Sequence, residues 1–224
     1  MKDVTGGLRL RPQQDWEAKT ILDSLEIKPW EVLQTSIVFS SPWLSVRKDI
    51  CRTNRGNVVD YYVIDRFSYV LIVALTPQSE VLIVRQYKHG AGQVVRELPA
   101  GYIEPGEDPL DCARRELREE TGYEAARMEP LAVLFASPTS SSHKAHLFLA
   151  SGLSRIGDQE LDANEKIALE KMDLAAAVRA AARGDCFQDL SSTTALLLAW
   201  QRLMDIDPTR GSANDSPDLR TDCG

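Results

Sequence analysis

The stretch Gly101 to Tyr123, GYIEPGEDPLDCARRELREETGY, decides how the rest of the chain is read. Asp108 stands where a helix needs an N-cap. Pro109 suits the first helical position, where a missing N–H costs nothing, and Asp111 completes a box-like arrangement three residues after the cap. Gly122 supplies the C′ residue that ends a helix. Between these punctuation marks, a rotation of about 100° per residue puts Glu116, Glu119 and Glu120 within roughly 100° of arc on one flank. Leu110, Ala113 and Leu117 form a separate apolar stripe that can pack on a sheet. Glu120 lies at the edge of that stripe and is expected to be partly buried.

Three carboxylates so close repel one another, and burial sharpens the repulsion. A hard cation with oxygen ligands relieves it. Mg²⁺ fits best, because it retains waters and favours carboxylates together with substrate phosphates, and Mn²⁺ can substitute. The loop before the helix holds Pro105-Gly106 and can turn a backbone carbonyl, that of Ala100, toward the same ions. Arg115 stands four residues before Glu119, the weaker direction for simple helix support, so orienting the carboxylate is its expected task. A solvated, salt-bridge-laced helix face would explain Arg114 to Glu120. It would not explain Gly101, the spacing to Glu107 or the stop at Gly122.

The stretch resembles the Nudix box, G-x5-E-x7-R-E-U-x-E-E-x-G-U with U apolar. Gly101, Glu107, Arg115, Glu116, Leu117, Glu119, Glu120, Gly122 and Tyr123 fill its fixed positions. At average residue frequencies such a match occurs on the order of once in 10⁹ starting positions, so chance is a poor account of it. The resemblance implies a Nudix α/β/α sandwich with a mixed β-sheet, hydrolysing the pyrophosphate bond of a nucleoside diphosphate derivative. It implies a metal set of Glu116, Glu120, Glu119 and the Ala100 carbonyl, with Arg115, Glu119 and Glu107 in catalytic support.

Outside the box the resemblance narrows to ADP-ribose pyrophosphatases and related sugar-nucleotide hydrolases. Glu97-Leu98-Pro99-Ala100-Gly101 looks like their approach to the box. Pro138 lies fifteen residues after Tyr123, as a proline does in those enzymes, and His146 to Ala150 also looks like that subfamily. The implied substrate is ADP-ribose, giving AMP and ribose 5-phosphate. Another nucleoside diphosphate sugar such as GDP-mannose, or a non-catalytic nucleotide-binding module, stays open. Glu97, Gly101 and Pro138 are the implied substrate contacts. Arg85 and Lys88, at a strand end, stand between a diphosphate contact and a solvated surface role. Relatives carry two glutamates one residue apart in a late loop. Here Asp162-Ala163-Asn164-Glu165-Lys166 retains only the second, so the base is either Glu165 or a carboxylate of the box. His143 is either a phosphate contact or an exposed loop residue.

The remaining organisation is read outward from this segment. Residues 30 to 65 carry short β-type runs: Val32-Leu33, Ile37 to Phe39, Trp43 to Val46 and Val58 to Ile64, with a turn at Asn54-Arg55-Gly56-Asn57. The subfamily resemblance implies that such an extension builds a homodimer and lends residues to the partner's site. Trp30 is then a candidate to stack on the base, and Trp43 reads rather as a core or interface aromatic. Strands are expected at Tyr69 to Leu75, Val81 to Gln86, Leu131 to Ala136 and Ala145 to Ala150, and helices at about 173–183 and 192–205. Strands mixed with a few helices imply an α/β sandwich with a largely mixed sheet. The divisions are an arm and β-rich dimerisation extension over 1–65, a hydrolase domain over 66–206 and a disordered tail over 207–224.

The 224 residues carry a net charge of −7 and a pI near 5.1. An acidic chain lacks the basic face that nucleic-acid backbones require. Cys51, Cys112, Cys186 and Cys223 form no CxxC pair, which disfavours zinc and favours a reduced, cytoplasmic setting. No stretch has the roughly 18 apolar residues of a membrane helix, and no leader is visible at the start.

Overall fold

The computed structural model describes residues 28–187 and 189–206. The expected N-terminal arm before residue 28 and the tail from 207 lie outside the described residues. Ten strands and three helices follow in the order β1 (Glu31–Ser40), β2 (Leu44–Arg52), β3 (Val58–Arg66), β4 (Tyr69–Ala74), β5 (Glu80–Lys88), β6 (Gln93–Glu97), β7 (Ala100–Tyr102), α1 (Pro109–Thr121), β8 (Tyr123–Phe135), β9 (Lys144–Arg155), β10 (Ala168–Asp173), α2 (Leu174–Arg183) and α3 (Leu190–Ile206).

The catalytic half is built on β4, whose side chains alternate between two cores, as a strand with period two must. Val70, Ile72 and Ala74 face Cys112, Ala113 and Leu117 of α1. Leu71 and Val73 face Leu174 and Ala177 of α2 and Leu196 and Ala199 of α3. A sheet apolar on both faces and covered by helices on both is the α/β/α sandwich expected from the sequence. Its four strands run in the order β7-β4-β9-β8. β4 and β9 are parallel, while β7 and β8 add antiparallel on the outside, so the sheet is mixed. A second antiparallel sheet, β10-β5-β6, joins it through the Leu75–Val81 bridge. β1, β2 and β3 form a separate antiparallel sheet, and every residue of β1 is exposed.

The helix limits match the sequence closely. The Asp108 side chain accepts from the Leu110 N–H at 2.8 Å, and Gly122 ends α1 at φ 71°. Asp173 and Gly184 do the same for α2. Four strands depart from the expectation. β8 starts at Tyr123 rather than Leu131, because its first half is an edge whose charged residues mask the alternation; Pro130 is tolerated there beside a bulge. β6, β7 and β10 are not among the strands the sequence leads one to expect. Each is held by backbone pairing to β5 or β4, which leaves little apolar trace in the sequence. No helix among the described residues is long and apolar enough to cross a membrane.

Leu117 is 1% exposed at the centre of the α1 contact. Leu117→Ala is expected to cost about 2–5 kcal/mol in urea unfolding. A loss below about 1 kcal/mol would contradict this packing.

Candidate active site

The packing that buries the apolar stripe of α1 also presses its acidic flank against β7. Glu116 lies over Gly101 so closely that a Cβ built on Gly101 would meet its carboxylate at 1.9 Å. Gly101 is therefore required for close approach. One turn on, the Glu120 carboxylate accepts from the Ala100 N–H at 2.9 Å. Helix and strand are thus stitched through two carboxylates of the box.

Arg115 organises the neighbouring acids. Its Nε and Nη2 donate to the two oxygens of Glu107 at 2.9 and 3.0 Å. Its Nη1 donates to Glu116 at 2.7 Å and Glu119 at 3.1 Å, and Nη2 also reaches the Tyr102 carbonyl at 3.3 Å. The bidentate pair holds the Glu107 carboxyl down to about 2, helped by the Glu104 N–H. The same bonds, Glu107 first, hold the guanidinium more firmly protonated. The orienting task expected of Arg115 is therefore visible, and it extends to three glutamates.

Glu116 and Glu120 are pushed the other way. Burial drives Glu120 up to about 8, opposed by the Ala100 N–H and reinforced by the charges of Glu116 and Glu165. Burial also raises Glu116, with Arg115 opposing and Glu119 and Glu165 adding to the rise. A buried carboxylate, Glu120, and a half-buried one a helical turn away, Glu116, both ionising reluctantly, are the donor set a hard cation relieves. Among the described residues, no group of three or more His, Cys, Asp or Glu side chains is so placed that it could hold a metal ion by itself. Magnesium does not need such a group, since it keeps waters and shares its shell with phosphates. Beneath Arg115, burial pushes the Cys112 thiol up to about 12, which makes it a poor nucleophile.

The other sequence-predicted residues fall into three places. Glu165 lies in the connection before β10, where its carboxylate accepts from the Asp162 N–H at 3.3 Å and its charge is felt at Glu116 and Glu120. Arg85 and Glu97 sit on the second sheet. Arg85 pairs with Glu170 at 3.2 Å, and Glu97 pairs with Lys88 at 3.0 Å. Arg96 joins Glu170 at 2.9 Å, a partner the sequence did not reveal. Pro138 is exposed in the β8–β9 connection. The N-terminal sheet meets that connection directly: Ile64 N–H donates to the Ser140 carbonyl at 2.8 Å and Ser142 donates to Asp65 at 2.8 Å. The Tyr61 hydroxyl donates to the Thr139 carbonyl, and Trp30 stands edge-on to Tyr61 with ring centres 5.8 Å apart. Trp30 and the Pro138 segment are thus linked through Tyr61, while Trp43 is exposed. His143 hydrogen-bonds Ser141 and lies tilted against Tyr69, a partnered position rather than a free loop tip.

Comparison with known proteins bears on this arrangement. The NUDIX domain family model matches residues 65–188, and the model of the nucleoside diphosphate sugar hydrolase N-terminal domain matches residues 30–64. The chain is similar to the methanol dehydrogenase activator of Bacillus methanolicus, 33% identical over 125 residues, 56% of this chain and 68% of that protein. It is also similar to the ADP-ribose pyrophosphatase of Mycobacterium tuberculosis, 32% identical over 163 residues, 72% of this chain and 76% of that protein. In structure it is similar to a solved ADP compounds hydrolase at a TM-score of 0.72. That match covers 81% of this chain and 97% of the other at 22% identity, and it bears on the fold.

Because the clash at Gly101 is with the far end of a flexible side chain, Gly101→Ala is expected to keep the fold while displacing the Glu116 carboxylate. Turnover should fall about 10²-fold with thermal unfolding little changed. Unchanged turnover would show that the position of Glu116 does not matter.

Proposed function

This chain belongs to the Nudix hydrolase family, and we propose that it hydrolyses the pyrophosphate bond of ADP-ribose to AMP and ribose 5-phosphate. The observation that carries the reading is the pair of carboxylates, half-buried Glu116 and buried Glu120, laid against Gly101 and Ala100 beside an arginine that orders three glutamates. The substrate is supported by a relative that is named ADP-ribose pyrophosphatase.

Glu116 and Glu120 hold divalent magnesium, with Glu119 and the Ala100 carbonyl alongside. When bound, the metal neutralises the diphosphate and makes water more acidic. Glu107 and Arg115 keep the acidic flank in one arrangement, so that little reorganisation is needed when the charge of the diphosphate arrives. Glu165 is the base in this reading: it lies in a connecting segment, beyond the Arg115 network, and takes the proton of the attacking water. Gly101, Glu97, Arg85 and Pro138 surround the substrate.

The N-terminal segment, residues 1–65, supplies the rest of the site. β1 is an edge strand that exposes Val32, Ile37, Val38 and Phe39. Pairing with a second copy buries such residues. The chain works as a homodimer in which Trp30 holds the base by stacking.

Glu120→Gln and Glu116→Gln are each expected to lower turnover of ADP-ribose by orders of magnitude in folded protein, and a chelator to abolish wild-type turnover. Near wild-type rates in either variant, or activity in chelator, would overturn the ligand set. Chromatography of products from a panel of nucleoside diphosphate sugars tests the substrate. Glu165→Gln should lower kcat by roughly 10²–10⁴-fold; a drop under about tenfold would move the base into the box.

Light scattering tests the assembly, with a dimer expected. Trp30→Ala should raise KM more than it lowers kcat, because stacking is felt alike in ground and transition states. A monomeric, fully active wild type would exclude a shared site.

A further inference from the structure

The last turn of α1 leaves its carbonyls without partners inside the helix, as every helix end does. Here a distant segment takes them up. The Glu160 N–H donates to the Glu119 carbonyl at 2.8 Å, and the Gln159 side-chain amide donates to the Glu120 carbonyl. Ile156 and Gly157 donate to the Gly122 carbonyl at 2.9 and 3.4 Å. The contact is tight, since a Cβ on Gly122 would meet the Gly157 oxygen at 2.4 Å. The segment 156–160 is therefore clamped to the helix end beside Glu119 and Glu120. It runs on through Leu161 to the turn in which Glu165 N–H donates to the Asp162 carbonyl at 2.9 Å. Beyond the turn the chain is fixed again where Ala168 pairs with Arg85.

The span that carries Glu165 is thus anchored at both ends, one anchor being the helix of the box. Most bonds in the first anchor come from backbone N–H groups. Gln159 is the exception: its hydrogen bond is made by a side chain, so substitution can remove it, and the other side-chain tie across the clamp is the longer Arg118–Glu160 ion pair at 3.9 Å.

We propose that Gln159 is a positioning residue, which sets the distance of Glu165 from the box by tying the root of its loop to the Glu120 carbonyl. The role rests on the reading of Glu165 as the base. Its chemistry is mechanical: no proton or ligand passes through Gln159. Losing the amide loosens the root of the loop, which the Glu160 N–H then holds with less support, and leaves Glu165 to sample more positions, so fewer encounters place it against the attacking water.

The test is a double-mutant cycle with ADP-ribose and magnesium, using Gln159→Ala, Glu165→Gln and the pair. Gln159→Ala is expected to lower kcat about tenfold with KM within about twofold, and to add less than about twofold when Glu165 is already Gln. Hydrogen exchange should quicken over 160–166 while 110–118 in α1 stays protected. An equal loss in both backgrounds would mean that Gln159 merely caps the helix, and no loss in either would mean that it positions nothing; both overturn the proposal. If Glu165→Gln alone leaves kcat unchanged, the assignment of the base fails first and the positioning role falls with it. A crippled Glu165→Gln with additive Gln159→Ala removes only the positioning role.

Discussion

The close approach of α1 to β7 is the constraint on which the rest of the site depends. It follows from ordinary apolar packing: Cys112, Ala113 and Leu117 sit against Val70 and Ile72, and small residues at the contact let the helix come close. The carboxylates on the adjoining flank have nowhere else to go. Glu116 is laid over the one residue in its path that lacks a Cβ, and Glu120 is driven onto the Ala100 N–H. Burying carboxylates in this way opposes folding. Two things offset the cost in the free protein: the hydrophobic contact that causes it, and the five-donor guanidinium of Arg115. Arg115 serves Glu107, Glu119 and Glu116, but no bond reaches Glu120. The most buried carboxylate of the box is therefore the one without a guanidinium partner, held by the Ala100 N–H.

What was legible in the sequence had its cause nearby in the chain. The limits of α1 are written in Asp108, Pro109 and Gly122, because caps act within a turn. The two-faced burial of β4 and β5 is written in unbroken apolar runs. The acidic flank is written in the spacing of Glu116, Glu119 and Glu120. What was illegible depends on neighbours far along the chain. β6, β7 and β10 exist because another strand offers its backbone, and backbone pairing has no residue code. The first half of β8 was lost to its charges and Pro130 for the same reason: an edge needs only one partner. Within the site, Arg115 and the box glutamates were found because they are helical neighbours. Arg96 with Glu170, and Gln159 with the Glu120 carbonyl, were missed because the partners lie 74 and 39 positions apart.

The same distinction separates the two halves of the protein. The box itself is confined to one helix and the strand it touches, with the loop between them, and a short motif suffices to specify it. The contact between the N-terminal sheet and the rest of the chain has no such compact source. Trp30, Tyr61 and Thr139 come from the N-terminal segment, β3 and the β8–β9 connection, and they meet only through the fold. The contacts between the N-terminal sheet and that connection are polar: Ile64 with Ser140 and Ser141, Asp65 with Ser142, and Tyr61 with Thr139. Polar docking of this kind fixes orientation but buries little apolar surface. Among the described residues, it leaves the aliphatic and aromatic residues of β1 exposed. The division explains why a box of 23 residues identifies the reaction class while the choice of base and sugar must be read from long-range contacts.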